Sequence, residues 1–257
     1  MHITIIGSGN VATHLAAALK NAGHKIIQVY SPNQHNAAIL AYHVGAKPVS
    51  DLSNIDGAAA DLFIISVKDD VITDICRELS VYQKLIVHTS GATPMLPGDK
   101  RGVFYPLQTF SKTKELDFSQ VPLCIEGSDE QVTAMLEQLA YTLSRNVYRV
   151  NSSQRKILHL AAVFACNFPN ALYAIAQGLL AEHQLDFNLL RPLILETAEK
   201  VQQSLPAEVQ TGPAVRRDQK TMNDHMQLLS PEPVLQDIYQ ILSQRIIKMD
   251  NALKGDE

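Results

Sequence analysis

The chain has 257 residues, of which 46% are hydrophobic and 19% charged, and its formal net charge is -4. That apolar share is enough for one large domain or two modest ones, and it excludes an intrinsically disordered chain. The slight acidity excludes a general nucleic-acid binder, which needs a basic stripe to meet phosphates. Met1 runs directly into a strand-like segment, so no secretory leader is expected. Cys76, Cys124 and Cys166 lie far apart in sequence. They fit no metal-ligand spacing and no disulfide framework, so no metal site is expected and the expected compartment is a reducing cytoplasm.

In chain order, residues 3–6 read as a short β-rich run that ends at Gly7. Residues 11–22 follow as a helix, with Val11, Leu15, Ala18 and Leu19 at helical spacing and Gly23 as its stop. Residues 26–30 form a second strand, residues 36–44 a second helix stopped at Gly45, and residues 47–49 a third strand. The near-continuous apolar run over 62–67 reads as a buried parallel strand. Asp70 is placed to cap a helix over 71–79, and residues 85–88 make a fifth strand. Strands and helices alternating on short links predict a parallel, doubly wound sheet. Further strands are predicted at 103–105, 123–125 and 147–149, with a helix over 130–143. After Val150 the strand signals stop. Ser152 or Ser153 can cap a long helix reaching about Ala181, and more helices are predicted near 188–204, 214–229 and 233–253. Thr211-Gly212-Pro213 and Ser230-Pro231 punctuate them. The fold class is α/β: a sheet domain over residues 1–150, then an all-α domain over 151–257.

The long helix requires a membrane test, because residues 157–181 contain no charge and are long enough to cross a bilayer. His159, Asn167, Pro169, Asn170 and Gln177 interrupt the run, and such groups are expensive in lipid. The expectation is a helix buried in the protein or at a dimer interface, not a membrane span. It carries more apolar surface than the helical part can cover alone, which predicts a homodimer through the C-terminal helices.

Gly7-Ser8-Gly9-Asn10-Val11-Ala12 is a G-x-G-x-x-A sequence between a strand and a helix. The first glycine permits the tight turn, the second lets backbone approach a pyrophosphate, and Ala12 lets helix and strand pack closely. Free N–H groups at the helix start would hold the phosphates, so the N-terminal domain reads as a Rossmann-type dinucleotide site. A dinucleotide with a free ribose diol calls for Asp or Glu at the end of the second strand, where this chain has Tyr30-Ser31-Pro32-Asn33. Ser31 and Asn33 can donate to a 2′-phosphate, so NADP is favoured over NAD. Ligands in such sheets lie beyond the carboxyl ends of the strands, which adds Ser66, Val67 and Lys68 and the turn at Ser90 and Gly91 to the expected cofactor site. Asp70 reads better as a helix cap than as a catalyst, and His88 equally well as a core or an active-site histidine.

Several motifs then recur in a familiar order. They are the glycine turn at Gly7, the turn from Ser66 to Asp70, His88-Thr89-Ser90-Gly91, Tyr105-Pro106-Leu107-Gln108-Thr109-Phe110, the helix from His159 to Asn170, and the stretch from Thr211-Gly212-Pro213 through Arg217-Asp218 to His225. In these the chain resembles, over nearly its whole length, the Rossmann-like NADP oxidoreductases whose C-terminal helical domain has no known function. It is more distantly similar to pyrroline-5-carboxylate reductase, the deazaflavin-dependent NADP oxidoreductases and the 6-phosphogluconate dehydrogenase superfamily. The resemblance implies NADP binding, a helical dimerisation domain and an active-site cleft, but no substrate. Two positions depart from it. Tyr105 stands where the close family often has His, and Val163 stands four residues before Asn167, where the β-hydroxyacid dehydrogenase branch has its catalytic Lys. A sugar-acid or 3-hydroxyacid dehydrogenase mechanism is therefore not expected.

At 100° per residue, His159 and Asn170 lie about 20° apart on the long helix and Asn167 about 80° from His159. They form one polar stripe on a greasy helix, suited either to a cleft or to a buried network. Asp218, Thr221 and His225 share a face in the second half, near Arg216 and Arg217, and that face reads either as an anion site or as a solvated surface. The expected enzyme is an NADP-dependent oxidoreductase that moves hydride to or from a carbonyl, imine or alcohol carbon of a small polar metabolite. His159 is the candidate acid or base and Asn167 the orienting group. Asn170, Arg217 and His225 are the candidate substrate contacts. The alternative is a non-catalytic NADP(H)-binding sensor or scaffold.

Overall fold

The computed structural model describes residues 1–111, 114 and 116–255. It divides into two compact units, Met1–Ala171 and Leu172–Glu257. In the first, β1 (His2–Ile6), β2 (Lys25–Tyr30), β3 (Lys47–Val49), β4 (Leu62–Ile65), β5 (Leu85–His88), β6 (Arg101–Pro106), β7 (Leu123–Gly127) and β8 (Val147–Arg149) form one sheet in the order β3-β2-β1-β4-β5-β6-β7-β8. The helices α1 (Asn10–Asn21), α2 (Gln34–Val44), α3 (Ile72–Leu79) and α4 (Glu130–Tyr141) supply the crossovers. Strand order reverses between β1 and β4, and a doubly wound sheet leaves a crevice at such a point.

The continuous apolar strands follow from burial on both faces. Within β4, Leu62 and Ile64 pack into a core with Leu15, Leu40, Phe104 and Leu136, while Phe63 and Ile65 enter a second core with Ile72, Ile75 and Leu79. One departure from the expected parallel sheet lies at β7, which pairs antiparallel with β6, whereas β8 is parallel to β7. The connection over 107–122 carries no α-helix among its described residues, only a 3₁₀ turn at Phe118–Gln120, so the chain doubles back instead of crossing over.

Side chains cap four of the described α-helix starts. Asn33 caps α2, and Asp129 caps α4. Asn151 rather than Ser152 or Ser153 caps α5 (Ser152–Ala162), closing a capping box with Gln154. Asp70 caps nothing: α3 starts from a 3₁₀ turn at Asp69–Val71 with no side-chain cap. The long helix is broken by a π-turn at Val163–Asn167, where the Phe168 N–H reaches the Val163 carbonyl, and continues as α6 (Phe168–Glu182).

The sheet unit extends past Val150 because α5 is tied into it. Arg155 is 1% exposed and pairs with Glu126 of β7, and its Nη2 donates to the Thr93 carbonyl at 2.7 Å. Ser152 Oγ donates to Glu126 and accepts the Met95 N–H at 2.8 Å.

The second unit contains the rest of α6, then α7 (Arg191–Gln203), α8 (Gln219–Leu228) and α9 (Pro233–Lys254). The helix expected from residue 214 begins only at Gln219, because Arg217 is left-handed at φ 54° and Asp218 is the cap. Among the described residues of this unit only Ala214 and Met222 are buried.

Candidate functional site

The G-x-G turn places its two glycines in different roles. Gly7 has φ +125°, and a Cβ there would lie 2.0 Å from the Ser66 carbonyl oxygen. Glycine at position 7 is therefore what lets the β1 and β4 ends come together. Gly9 has an ordinary extended backbone as the N-cap of α1, and a Cβ on it would meet nothing within 4 Å. It lines a cleft of about 900 Å³ with Gly7, Ser8, Asn10, Val11, Ser31, Ser66, Val67, Lys68, Ser90, Gly91, Tyr105, Gln108, Phe110 and His159. Gly9 thus keeps open the approach to the first turn of α1, where backbone N–H groups gather, as a bound pyrophosphate requires.

Eleven of the twelve expected cofactor residues line this one cleft. Asn33 does not; its side chain accepts the Asn36 N–H and fixes the start of α2. Ser31 is 4% exposed, with its Oγ 2.9 Å from Ser8 Oγ and accepting the Asn33 N–H. No acidic side chain stands at the end of β2, and Lys68 is the sole lysine or arginine among the lining residues. These features fit a 2′-phosphorylated ribose better than a free diol. Asn10 also holds the opposite rim, donating to the Phe110 carbonyl at 2.9 Å.

The turn after β5 is held from all sides. His88 Nδ1 accepts the Ser90 N–H and its Nε2 faces the Pro94 carbonyl at 3.1 Å. Ser90 Oγ accepts the Ala92 and Thr93 N–H groups. This pattern requires neutral His88 with its proton on Nε2. Burial drives the His88 pKa down to about 4. His88 is therefore a structural brace for the Ser90–Gly91 wall.

His159 reaches the cleft from α5, with Nδ1 3.2 Å from the Tyr105 hydroxyl at the carboxyl end of β6. Tyr105 is a site residue that periodicity missed, although its place at the end of a predicted strand was the available signal. The thiol of Cys124 beside it is pushed up to about 11 by burial and stays protonated.

Asn167 and Asn170 are exposed and do not line the cleft. The π-turn changes their expected placement. Pro169 has no N–H for the Ala165 carbonyl, and the i to i+5 turn absorbs one extra residue. Residues beyond it are set back by about 100°, which moves Asn170 about 80° from His159. Asn167 is about 12 Å further along the helix than His159, so the two do not meet at one substrate atom. Arg217 and His225 belong to the helical unit and are engaged there. Arg217 bonds Asn251 and lies 3.6 Å from Asp250, and His225 Nδ1 is 2.9 Å from the Tyr239 hydroxyl. Hydrogen bonds from Thr221 hold the Asp218 carboxyl below its ordinary pKa, as a cap.

Two outcomes are expected. Gly9→Val should leave thermal unfolding nearly unchanged while weakening NADPH binding at least about tenfold, since the new side chain enters the cleft. Gly7→Ala should destabilise the fold itself, because φ and the Ser66 carbonyl both oppose a side chain. Fluorescence titration with NADPH and thermal melts separate the two, and equal effects on binding and stability would contradict this division.

Stability should also depend on His88. Its folded pKa of about 4 is below the ordinary histidine value of 6.5, so between these pH values only the unfolded chain takes the proton. Stability is then complete above about pH 6.5 and falls by about 3 kcal/mol toward pH 4. Urea unfolding across this range should show a flatter slope in His88→Gln, and an unchanged slope would assign it to another group.

Comparison with known proteins agrees with this geometry. Residues 2–91 match the family described as NADP oxidoreductase coenzyme F420-dependent, and residues 121–246 match a domain of unknown function, DUF2520. No curated protein matches the chain. A solved Bacteroides fragilis structure, classed by inference as an NADP oxidoreductase, is 42% identical, with coverage of 96% of this chain and 98% of that one and a TM-score of 0.90. A Thermotoga maritima protein at 21% identity (98% and 99% coverage, TM-score 0.75) and a Streptomyces aurantiacus imine reductase at 15% (99% and 99%, TM-score 0.64) share the fold. The chain belongs to the Rossmann-fold NADP(H) oxidoreductase family of the Bacteroides fragilis protein, and is an NADP(H)-dependent enzyme acting on a small metabolite.

Proposed function

We propose that this enzyme reduces a small carbonyl or imine compound, with His159 as the group that exchanges the proton. One observation carries this reading: among the described residues no protein group hydrogen-bonds His159 Nε2, while its ring lines the same cleft as Gly9. NADPH supplies the hydride. The α1 start, Ser8 and Ser31 would hold its phosphates, and Ser90 and Gly91 line the same cleft. As the substrate carbon gains hydride, the C=O or C=N π pair becomes a lone pair on oxygen or nitrogen. That atom takes the Nε2 proton of His159.

NADPH oxidation should be followed against a panel of small aldehydes, ketones and cyclic imines. His159→Gln should lower kcat on an accepted substrate about 100-fold or more while NADPH affinity stays within about twofold. Full turnover in the variant would refute the assignment.

We also propose a homodimer through the C-terminal helices. Support comes from the helical unit, which buries almost nothing by itself, and from Phe164 and Phe168, stacked edge to face at 4.9 Å and 64% and 48% exposed. Ser152–Glu182 is long and apolar enough to cross a membrane by length and composition. His159, Asn167, Asn170 and the buried Arg155 pair weigh instead for a protein partner. Sedimentation at micromolar concentration should give a dimer that Phe164→Glu shifts toward monomer, whereas a wild-type monomer would refute the proposal. Three free cysteines suit the cytoplasm as the location.

A further inference from the structure

We propose that Tyr105 is a positioning residue for the reaction: its hydroxyl engages Nδ1 of His159 so that proton exchange with substrate runs through Nε2 alone. The inference rests on the role given to His159 above. The geometry is specific. The hydroxyl is 3.2 Å from Nδ1, and the rings stand edge to face with centroids 6.2 Å apart. Gly91 makes room for this contact, since a Cβ there would lie 2.7 Å from His159 Nδ1 and 2.8 Å from Tyr105 Cζ. The Nδ1 edge of the imidazole is thus enclosed by Gly91 and Tyr105, and Nε2 is the nitrogen left for a ligand.

A phenol suits this position because its oxygen accepts. It accepts from Nδ1–H of the imidazolium and equally from Nδ1–H of the neutral tautomer left when Nε2 gives up its proton, so the contact survives the gain and loss of the Nε2 proton. Burial pushes the Tyr105 hydroxyl up to about 12, so it stays protonated through the cycle and gives no proton to the substrate itself. The ring is 8% exposed and packs with Val103 and Cys124, which fixes the hydroxyl without help from a ligand.

The test uses the full chain loaded with NADP⁺ and labelled with ¹⁵N-histidine. His159→Gln identifies the His159 signals. Wild-type His159 should show one dominant neutral tautomer, and Tyr105→Phe should move it toward the two-tautomer mixture of free imidazole. NADPH affinity and melting temperature should remain close to wild type, because the ring is retained. On any substrate accepted by the wild type, Tyr105→Phe should lower kcat about 10- to 100-fold with little change in the KM for NADPH. Identical His159 signals in wild type and Tyr105→Phe would overturn the proposal. So would full turnover in Tyr105→Phe alongside a crippled His159→Gln, and that result would leave the role of His159 standing. Full turnover in both variants would refute both readings.

Discussion

The site depends on a charge pair buried inside the sheet unit. Arg155 has almost no contact with water, and such a charge is costly unless it is paired and hydrogen-bonded. Glu126, the Thr93 carbonyl and Ser152 supply those partners from β7, from the turn after β5 and from the start of α5. No one of these segments can shift without leaving a buried charge exposed to an apolar surrounding. The pair therefore works as a registration device. It places α5 against the sheet at one height and one rotation, and His159, one helical turn beyond Arg155, arrives at the Tyr105 end of β6. A hydrophobic contact of the same area would tolerate sliding; this one does not.

The opposite wall is set by a steric constraint. Gly7 lets the ends of β1 and β4 close to a distance that any side chain would prevent, and that closure aims the start of α1 into the cleft. Phosphate binding here needs no local excess of lysine and arginine, since a helix N-terminus offers N–H donors and a favourable dipole. This is how a chain of net charge -4 holds an anionic cofactor. Specificity for the ribose phosphate is a matter of what is missing as well as of what is present: the carboxylate that would repel it is absent at Ser31-Pro32-Asn33.

Much of the fold was legible in the amino-acid pattern, for reasons the two cores make plain. Strands buried on both faces must be apolar throughout, so β1, β4 and β5 announce themselves, and the glycine turn after β1 locates the cofactor. The features that escaped are non-local. Arg155 looks in isolation like a solvated residue on the first turn of a helix; only the fold brings Glu126 beside it. Tyr105 reads as a strand-end residue at a position where relatives often have His, until α5 brings a histidine to its hydroxyl. The reversed direction of β7 depends on how residues 107–122 return, and no local periodicity encodes that. His88 carried two readings from sequence, and its hydrogen-bond partners on the next turn select the structural one. Asn33 has donors suited to a phosphate, yet its position as N-cap directs its oxygen to the Asn36 N–H.

Pro169 shows how a single residue couples chemistry to assembly along the long helix. Without it, an unbroken α-helix would carry Asn170 on the His159 face. The missing N–H and the π-turn before it rotate the later part of the helix by about one residue. Phe164, inside the turn, and Phe168, just after it, form an aromatic pair that is exposed in the single chain. In the proposed dimer a second copy covers the exposed apolar side chains of the uncharged stretch over 157–181, where a charge would lose the bulk water it needs. Asn167, Asn170 and Gln177 are hydrogen-bonding amides, which tolerate partial burial at lower cost than charges.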